Sequence, residues 1–213
     1  MTARRLILWR HGQTDGNLHG RMQGQADVPL NDTGYAQARE AAGRVAALAP
    51  TRIVSSDLQR ARQTAEVIAA ETGLEVTTDP RLQEINVGDW VGLTRDEVIA
   101  RHPEFLEDLA AGRDFRRSDG GETGDEVGRR VAAALHDLVA AGDDDEVLLA
   151  VGHGLAWRVG ATYFLGGDFA ASRTLAGLHN CGWIILDRAG SEWRLEAYNV
   201  TANLRDPYSS VMR

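Results

Sequence analysis

Short, uninterrupted apolar runs recur along the chain. Between them lie longer segments whose apolar residues return every three or four positions. Leu6-Ile7-Leu8-Trp9 and Val147-Leu148-Leu149-Ala150-Val151 are the clearest runs. Runs of this length without alternation read as strands buried on both faces, as in a parallel sheet. They predict strands over 5–9 and 146–151, and shorter ones over 52–55 and 74–78. Helical spacing follows each. Asn31-Asp32-Thr33-Gly34 opens an alanine-rich helix to about Leu48, and residues 57–72 form a second, ended by Gly73. Further helices are predicted over 95–101, 103–111, 122–141 and 155–165. Residues 81–94 and 113–123 read as loops. Near the end, 181–187 and 192–198 alternate as a hairpin through Arg188-Ala189-Gly190-Ser191.

Strands alternating with helices imply an α/β fold. The sheet should be mainly parallel with helices on both faces, and the late hairpin should add an antiparallel edge. With 213 residues, no repeat and no linker of biased composition, the chain reads as a single domain over 1–213. The hairpin's outer strand needs cover, which a second copy in a homodimer would give. The amino-terminal apolar run is too short for a signal-peptide core. No run approaches the ~18 residues of a membrane span. The lone Cys181 permits no internal disulfide. A cytoplasmic protein without membrane attachment is therefore expected. The net charge of −8 argues against nucleic acid as a partner.

All 23 basic residues are arginine. Any oxyanion clamp must therefore be built from guanidinium forks, which meet oxyanions bidentately. Arg10-His11-Gly12 stands directly after the first strand and His153-Gly154 directly after the strand over 146–151. The carboxyl ends of parallel strands are where ligands bind in open α/β sheets. Ser55 to Thr64 begins where another strand ends, with Arg60 on the first turn of a helix whose amino terminus favours anions. Arg10, Arg60, His11 and His153 thus converge on a phosphate. A neutral imidazole is a competent nucleophile, and neighbouring arginines keep it neutral. Its second nitrogen should donate to a backbone carbonyl. Glu84 is the candidate acid for the leaving oxygen, since a bound phosphate dianion would favour its protonated form. Arginines around the two histidines would repel a cation, so neither a catalytic metal nor another cofactor is expected. The chain has no Gly-x-Ser-x-Gly elbow and no Walker lysine loop. His19, His102, His136 and His179 read as surface or packing residues, Arg62 as solvated, and Trp90, Trp157, Trp183 and Trp193 as core.

With these residues in place the chain resembles the histidine phosphatase superfamily, the phosphoglycerate mutase-like proteins, from Arg5 to about Tyr198. The likeness rests on Arg10-His11-Gly12, on the Ser-x-x-x-x-Arg-Ala-x-x-Thr segment from Ser55 to Thr64, on Leu82-Gln83-Glu84 before Gly88-Asp89-Trp90, and on His153-Gly154. It implies a three-layer α/β/α sandwich with residues 80–123 lying as a cap over the site. It implies His11 as the phosphorylated nucleophile and Glu84 as proton donor, with Arg10, Arg60 and His153 around the phosphate. Asn17, Gln23 and Gly24 match positions that touch phosphate or substrate, and Arg21 and Gly154 are added to that set. Val91 and Leu155 depart from the mutases, which commonly carry Glu and Asn there, and the cofactor-dependent mutases are longer. A phosphomonoesterase is therefore expected rather than a phosphoglycerate mutase, a broad-specificity acid phosphatase or a non-catalytic phosphate-binding module. The stretches 21–25, 88–94 and 193–199 resemble actinobacterial-type members acting on glucosyl-3-phosphoglycerate. The partner expected is thus a small phosphorylated metabolite. Arg113, Arg116 and Arg117 read as a solvated basic turn first and as ligands of its carboxylate second, and Gln23, Gln25 and Trp90 are the residues that could meet its sugar.

Overall fold

The computed structural model describes residues 2–202; the two ends of the 1–213 domain reading lie outside them. Six strands form one sheet: β1 (Arg5–Arg10), β2 (Arg52–Ser55), β3 (Val76–Thr78), β4 (Val147–Gly152), β5 (Trp183–Ala189) and β6 (Glu192–Val200). Their order is β3-β2-β4-β1-β5-β6. The first four are parallel, while β5 and β6 are antiparallel additions at the β1 side. This is the mainly parallel sheet with an antiparallel edge that the apolar runs predict.

Strand side chains alternate between faces, and the core divides accordingly. Ile7, Trp9, Ile53, Leu149 and Trp183 pack with α2 (Asp32–Ala46) and α3 (Gln59–Thr72). Leu6, Leu8, Val54, Leu148 and Ile184 face the other way, onto α6 (Gly124–Ala140) and α7 (Gly154–Phe164). The second layer also holds Leu82, Ile85, Trp90 and Phe105, which seat the 80–123 segment. That segment carries two 3-10 turns, Pro80–Leu82 and Gly88–Trp90, then α4 (Arg95–Arg101) and α5 (Glu104–Ala111).

The boundaries differ from expectation by one or two residues at several elements. α3 starts at Gln59 rather than 57, because the Gln59 N–H is met by Asp27 Oδ1 at 2.6 Å, from 32 residues away. α6 starts at Gly124 because Thr123 and Glu126 form a reciprocal capping box. β5 starts at Trp183 because Cys181 has left-handed backbone (φ 54°), which ends strand geometry there. Two one-turn helices had no periodic signal: α1 (Asp15–Leu18) and α8 (Phe169–Ser172). Among the described residues no helix is long and apolar enough to cross a membrane.

Candidate active site

β1, β2 and β4 are adjacent and parallel, so their carboxyl ends share one edge of the sheet. His11 is the first residue beyond β1, and His153, the first beyond β4, is the N-cap of α7. Arg60 lies in the first turn of α3. Arg10, His11, Arg60 and Glu84 line one cavity of about 460 Å³, together with Asn17, Arg21, Gln23 and Gly24. His153 and Gly154 are not among its lining residues.

Gly12 allows the turn that carries His11. A Cβ at Gly12 would overlap the Gly34 backbone, and one at Gly34 would overlap Gln13, so the loop after β1 lies directly on the start of α2. The Gly12 N–H also donates to Thr64 Oγ1 of α3 (3.1 Å). Held this way, His11 is 3% exposed. Its Nδ1 lies 2.7 Å from the Gly12 carbonyl, an acceptor only, so Nδ1 carries the hydrogen. Nε2 then keeps its lone pair and has no partner among the described residues. Burial, then Arg60 and Arg10, hold the His11 imidazole well below the usual histidine range; the Gly12 hydrogen bond opposes them weakly.

His153 is wholly buried behind His11, the ring centroids 5.2 Å apart and edge-on. Its Nε2 meets Ser56 Oγ at 2.9 Å and its Nδ1 is buried without a partner. Burial first, and then Arg60, His11 and Arg10, keep it neutral as well. Gly154 packs against Arg10: a Cβ there would stand 3.2 Å from Arg10 Nε. Arg10 donates through Nη1 to the Leu178 carbonyl. Arg60, 1% exposed, donates to the carbonyls of Ala26 and Gly24, both at 2.7 Å. Burial lowers the Arg60 guanidinium to about 10, so it stays charged at neutral pH. The Nε atoms of both arginines are buried and unpartnered. Buried donors are normally satisfied, and both arginines line the cavity.

Glu84 lies at the amino terminus of α7, where its carboxylate accepts the N–H groups of Ala156 (2.9 Å), Leu155 (3.2 Å) and Ile85 (3.0 Å). Asn17 Oδ1 accepts from the Thr14 N–H and from Asn180 Nδ2, and its own Nδ2 has no partner among the described residues. Gln23 Oε1 accepts from Thr14 Oγ1 at 2.7 Å.

Several expected placements change. Arg21 stands at the rim with half its side chain exposed, donating to the Gly92 carbonyl and 3.5 Å from Glu97. Gln25 holds the Glu84 carbonyl instead of facing the cavity (3.1 Å). Arg113 is paired with Asp108 and Arg117 with Asp114. Arg116 is paired with Glu126 and does not line the cavity. These three arginines have carboxylates of their own, close in sequence or on the facing turn of α6. Trp90 is 4% exposed and packs on Phe105 and Phe115, yet it lines the cavity with an unpartnered Nε1.

Other contributors gave no sequence signal. Arg130 on α6 donates to the carbonyls of Arg81, Gln83 and Glu84 and pairs with Glu122 (2.8 Å), fixing the Glu84 loop. Asn180 donates to the His11 carbonyl at 3.1 Å. Arg158 and Arg173 line the cavity from α7 and the end of α8.

Comparison with known proteins agrees with this geometry. The family described as the histidine phosphatase superfamily (branch 1) matches residues 6–201. A glucosyl-3-phosphoglycerate phosphatase of Mycolicibacterium vanbaalenii is 38% identical, covering 96% of this chain and 98% of that protein. A probable phosphoglycerate mutase GpmB of Yersinia pestis is 36% identical, covering 95% of each. Among solved structures, a mycobacterial glucosyl-3-phosphoglycerate phosphatase complexed with VO3 superposes with a TM-score of 0.86 at 37% identity, covering 93% of this chain and all of that one.

Proposed function

The chain belongs to the histidine phosphatase superfamily, and from that premise we propose that it hydrolyses a small anionic phosphomonoester through a phosphohistidine at His11, without a metal ion. The observation that carries this reading is the His11 tautomer. Nδ1–H is committed to the Gly12 carbonyl, and the partner-free Nε2 belongs to a ring on the wall of the cavity that Arg10 and Arg60 also line.

In the first step Nε2 bonds to phosphorus in line with the ester oxygen. The P–O bond breaks, its electron pair stays on the leaving oxygen, and Glu84 supplies that oxygen's proton. In the second step the Glu84 carboxylate takes a proton from water, and the water oxygen bonds to phosphorus. The P–N bond breaks and the neutral imidazole is restored. The unpartnered Nε–H groups of Arg10 and Arg60 meet the equatorial oxygens in both steps. With Ser56 donating to Nε2, His153 Nδ1 carries the ring hydrogen, and the neutral ring stands edge-on against His11.

The substrate favoured is glucosyl-3-phosphoglycerate. The mycobacterial relatives bear that name, and the cavity wall adds aromatic surface at Trp90, Phe105 and Phe115 beyond the phosphate end. The GpmB likeness supports phosphoglycerate mutation as the second reading, with the same phosphohistidine but a hydroxyl in place of water. Wild-type and His11→Ala protein should be compared on glucosyl-3-phosphoglycerate and 3-phosphoglycerate, following phosphate release and 2-/3-phosphoglycerate interconversion, with the phosphoenzyme trapped in parallel. Phosphate release at least ~1,000-fold faster in the wild type, and an acid-labile phosphoenzyme absent from the variant, are expected. Interconversion without phosphate release would favour the mutase. Activity retained in the variant would remove His11 from the mechanism.

A further inference from the structure

Seven arginines line the cavity, against a single carboxylate, Glu84, in a chain of net charge −8. Three of them have acidic partners: Arg21 with Glu97, Arg113 with Asp108 and Arg117 with Asp114. Arg10 and Arg60 sit beside His11 and are accounted for by the transferred phosphate. Arg158 and Arg173 remain. Arg173 makes one long hydrogen bond, to the Leu109 carbonyl at 3.3 Å. Arg158 is half-buried, and its Nε is fully buried with no hydrogen-bond partner. Among the described residues Arg158 has no ion pair and stacks on no aromatic ring. A buried N–H without an acceptor is costly, and native structures seldom leave one so. Arg117 lies near enough to feel its charge, so the wall also crowds two cations.

We propose that Arg158, with Arg173 behind it, forms a second anion subsite that binds a carboxylate of the substrate while Arg10 and Arg60 hold its phosphate. This rests on the phosphatase reading and names the substrate feature the far wall selects. Position along α7 supports it. The Leu155 and Ala156 N–H groups hold Glu84 at the phosphate end. Arg158 lies on the same cavity-facing stripe one turn beyond Leu155, about 5 Å along the helix axis. A phosphate and a carboxylate joined by a short carbon chain, as in a phosphoglycerate, span such a gap. The guanidinium fork suits a carboxylate because two parallel N–H groups meet its two oxygens.

The test compares two ligands of matched size, 3-phosphoglycerate and glycerol 3-phosphate, which differ in carboxylate against hydroxymethyl. Binding to His11→Asn protein by calorimetry keeps the measurement independent of turnover; kcat/KM on active enzyme is read alongside. In proteins otherwise wild type at Arg158, 3-phosphoglycerate should be preferred. Arg158→Gln should reduce that preference roughly tenfold to a hundredfold, the size of a lost charge-assisted hydrogen bond. Arg158→Lys should keep part of it and Arg173→Gln should lose less. Arg62→Gln, an exposed arginine outside the cavity, is the charge-matched control. Equal weakening of both ligands by Arg158→Gln would show a merely structural arginine and overturn the subsite. So would an unchanged ratio in both Arg158→Gln and Arg158→Lys. Wild-type protein that binds both ligands with the expected ratio but releases no phosphate would sink the phosphatase reading and leave the subsite standing.

Discussion

Burial of two neutral histidines side by side should make the fold sensitive to mild acid. His11 is 3% exposed and His153 not at all, and burial aided by Arg60 and Arg10 holds both well below the usual histidine range. In the unfolded chain each would titrate near ~6.5. Because the folded-state values are depressed, the unfolded state binds more protons below that pH. Stability is therefore complete above ~6.5 and is lost as pH falls toward the folded-state values. Between about pH 7.5 and about pH 5.5 each unfolded-state histidine gains about 1.4 kcal/mol of protonation free energy that the folded state forgoes. Two such groups give about 2.7 kcal/mol, a large part of the ~5–15 kcal/mol of a typical domain. The rings are 5.2 Å apart, so protonating one in the folded state further disfavours the other, which keeps the full sum in force. Urea unfolding at the two pH values measures the loss. A His11→Asn/His153→Asn double variant cancels the contribution of every other group by subtraction. The wild type should lose about 2.7 kcal/mol more than the double variant over this interval. Equal losses would mean that the two imidazoles accept protons within the folded state and that the neutral nucleophile is wrong.

Two further outcomes bear on the chemistry. Glu84→Gln should slow hydrolysis of alkyl phosphates by roughly 100-fold or more but affect nitrophenyl phosphate much less, since only the alkoxide needs a proton to leave; equal losses on both would make Glu84 a positioning residue. Activity should survive exhaustive chelation and be inhibited by vanadate, because Arg10 and Arg60 supply the charge a cation would; loss with chelator and recovery with a divalent ion would contradict the arginine clamp.

The sheet and the placement of the strand-end residues were legible because their causes are local. An unbroken apolar run ends, the chain must turn, and the next residues stand at the carboxyl edge of the sheet: this holds for Arg10-His11-Gly12, of which Arg10 and His11 line the cavity, and for His153, which is buried against His11. Gly73, with left-handed backbone (φ 71°), ends α3 where expected. Thr94 and Glu97 cap α4 as a local pair, so that helix matches its expected bounds. What was not legible depends on partners far away in sequence. The Asp27 cap on α3, the Arg130 ties to the Glu84 loop and the Asn180 bond behind His11 each join segments with no local signature. The same limit hid the partners of Arg113, Arg116 and Arg117. Their loop does lie by the cleft, but Asp108, Asp114 and Glu126 claim their charge. The free charge sits at Arg158 and Arg173, in segments where helical spacing or plain polarity gave no reason to single them out.

The arginine-only composition gains a physical meaning at Arg60. A guanidinium has five N–H donors in a fixed plane. Two of them meet the Gly24 and Ala26 carbonyls and hold the Gln23–Gly24 edge of the cavity in place. Nε is buried and left unpartnered. On the proposed mechanism one side chain thus fixes the Gln23–Gly24 edge and presents charge to the transferring group. An ammonium has three donors around a point and no second edge, so it could satisfy the two carbonyls or face the oxyanion, but not in this geometry both. Arg130 repeats the structural half of that arrangement on the Glu84 side, binding three carbonyls and Glu122. The Gln23–Gly24 edge and the Glu84 loop are therefore each held by backbone carbonyls gripped by an arginine, while the His11 loop is held by Thr64 and by its packing on Gly34. Both grips are buried or half-buried ties rather than exposed ion pairs, so screening by salt weakens them little.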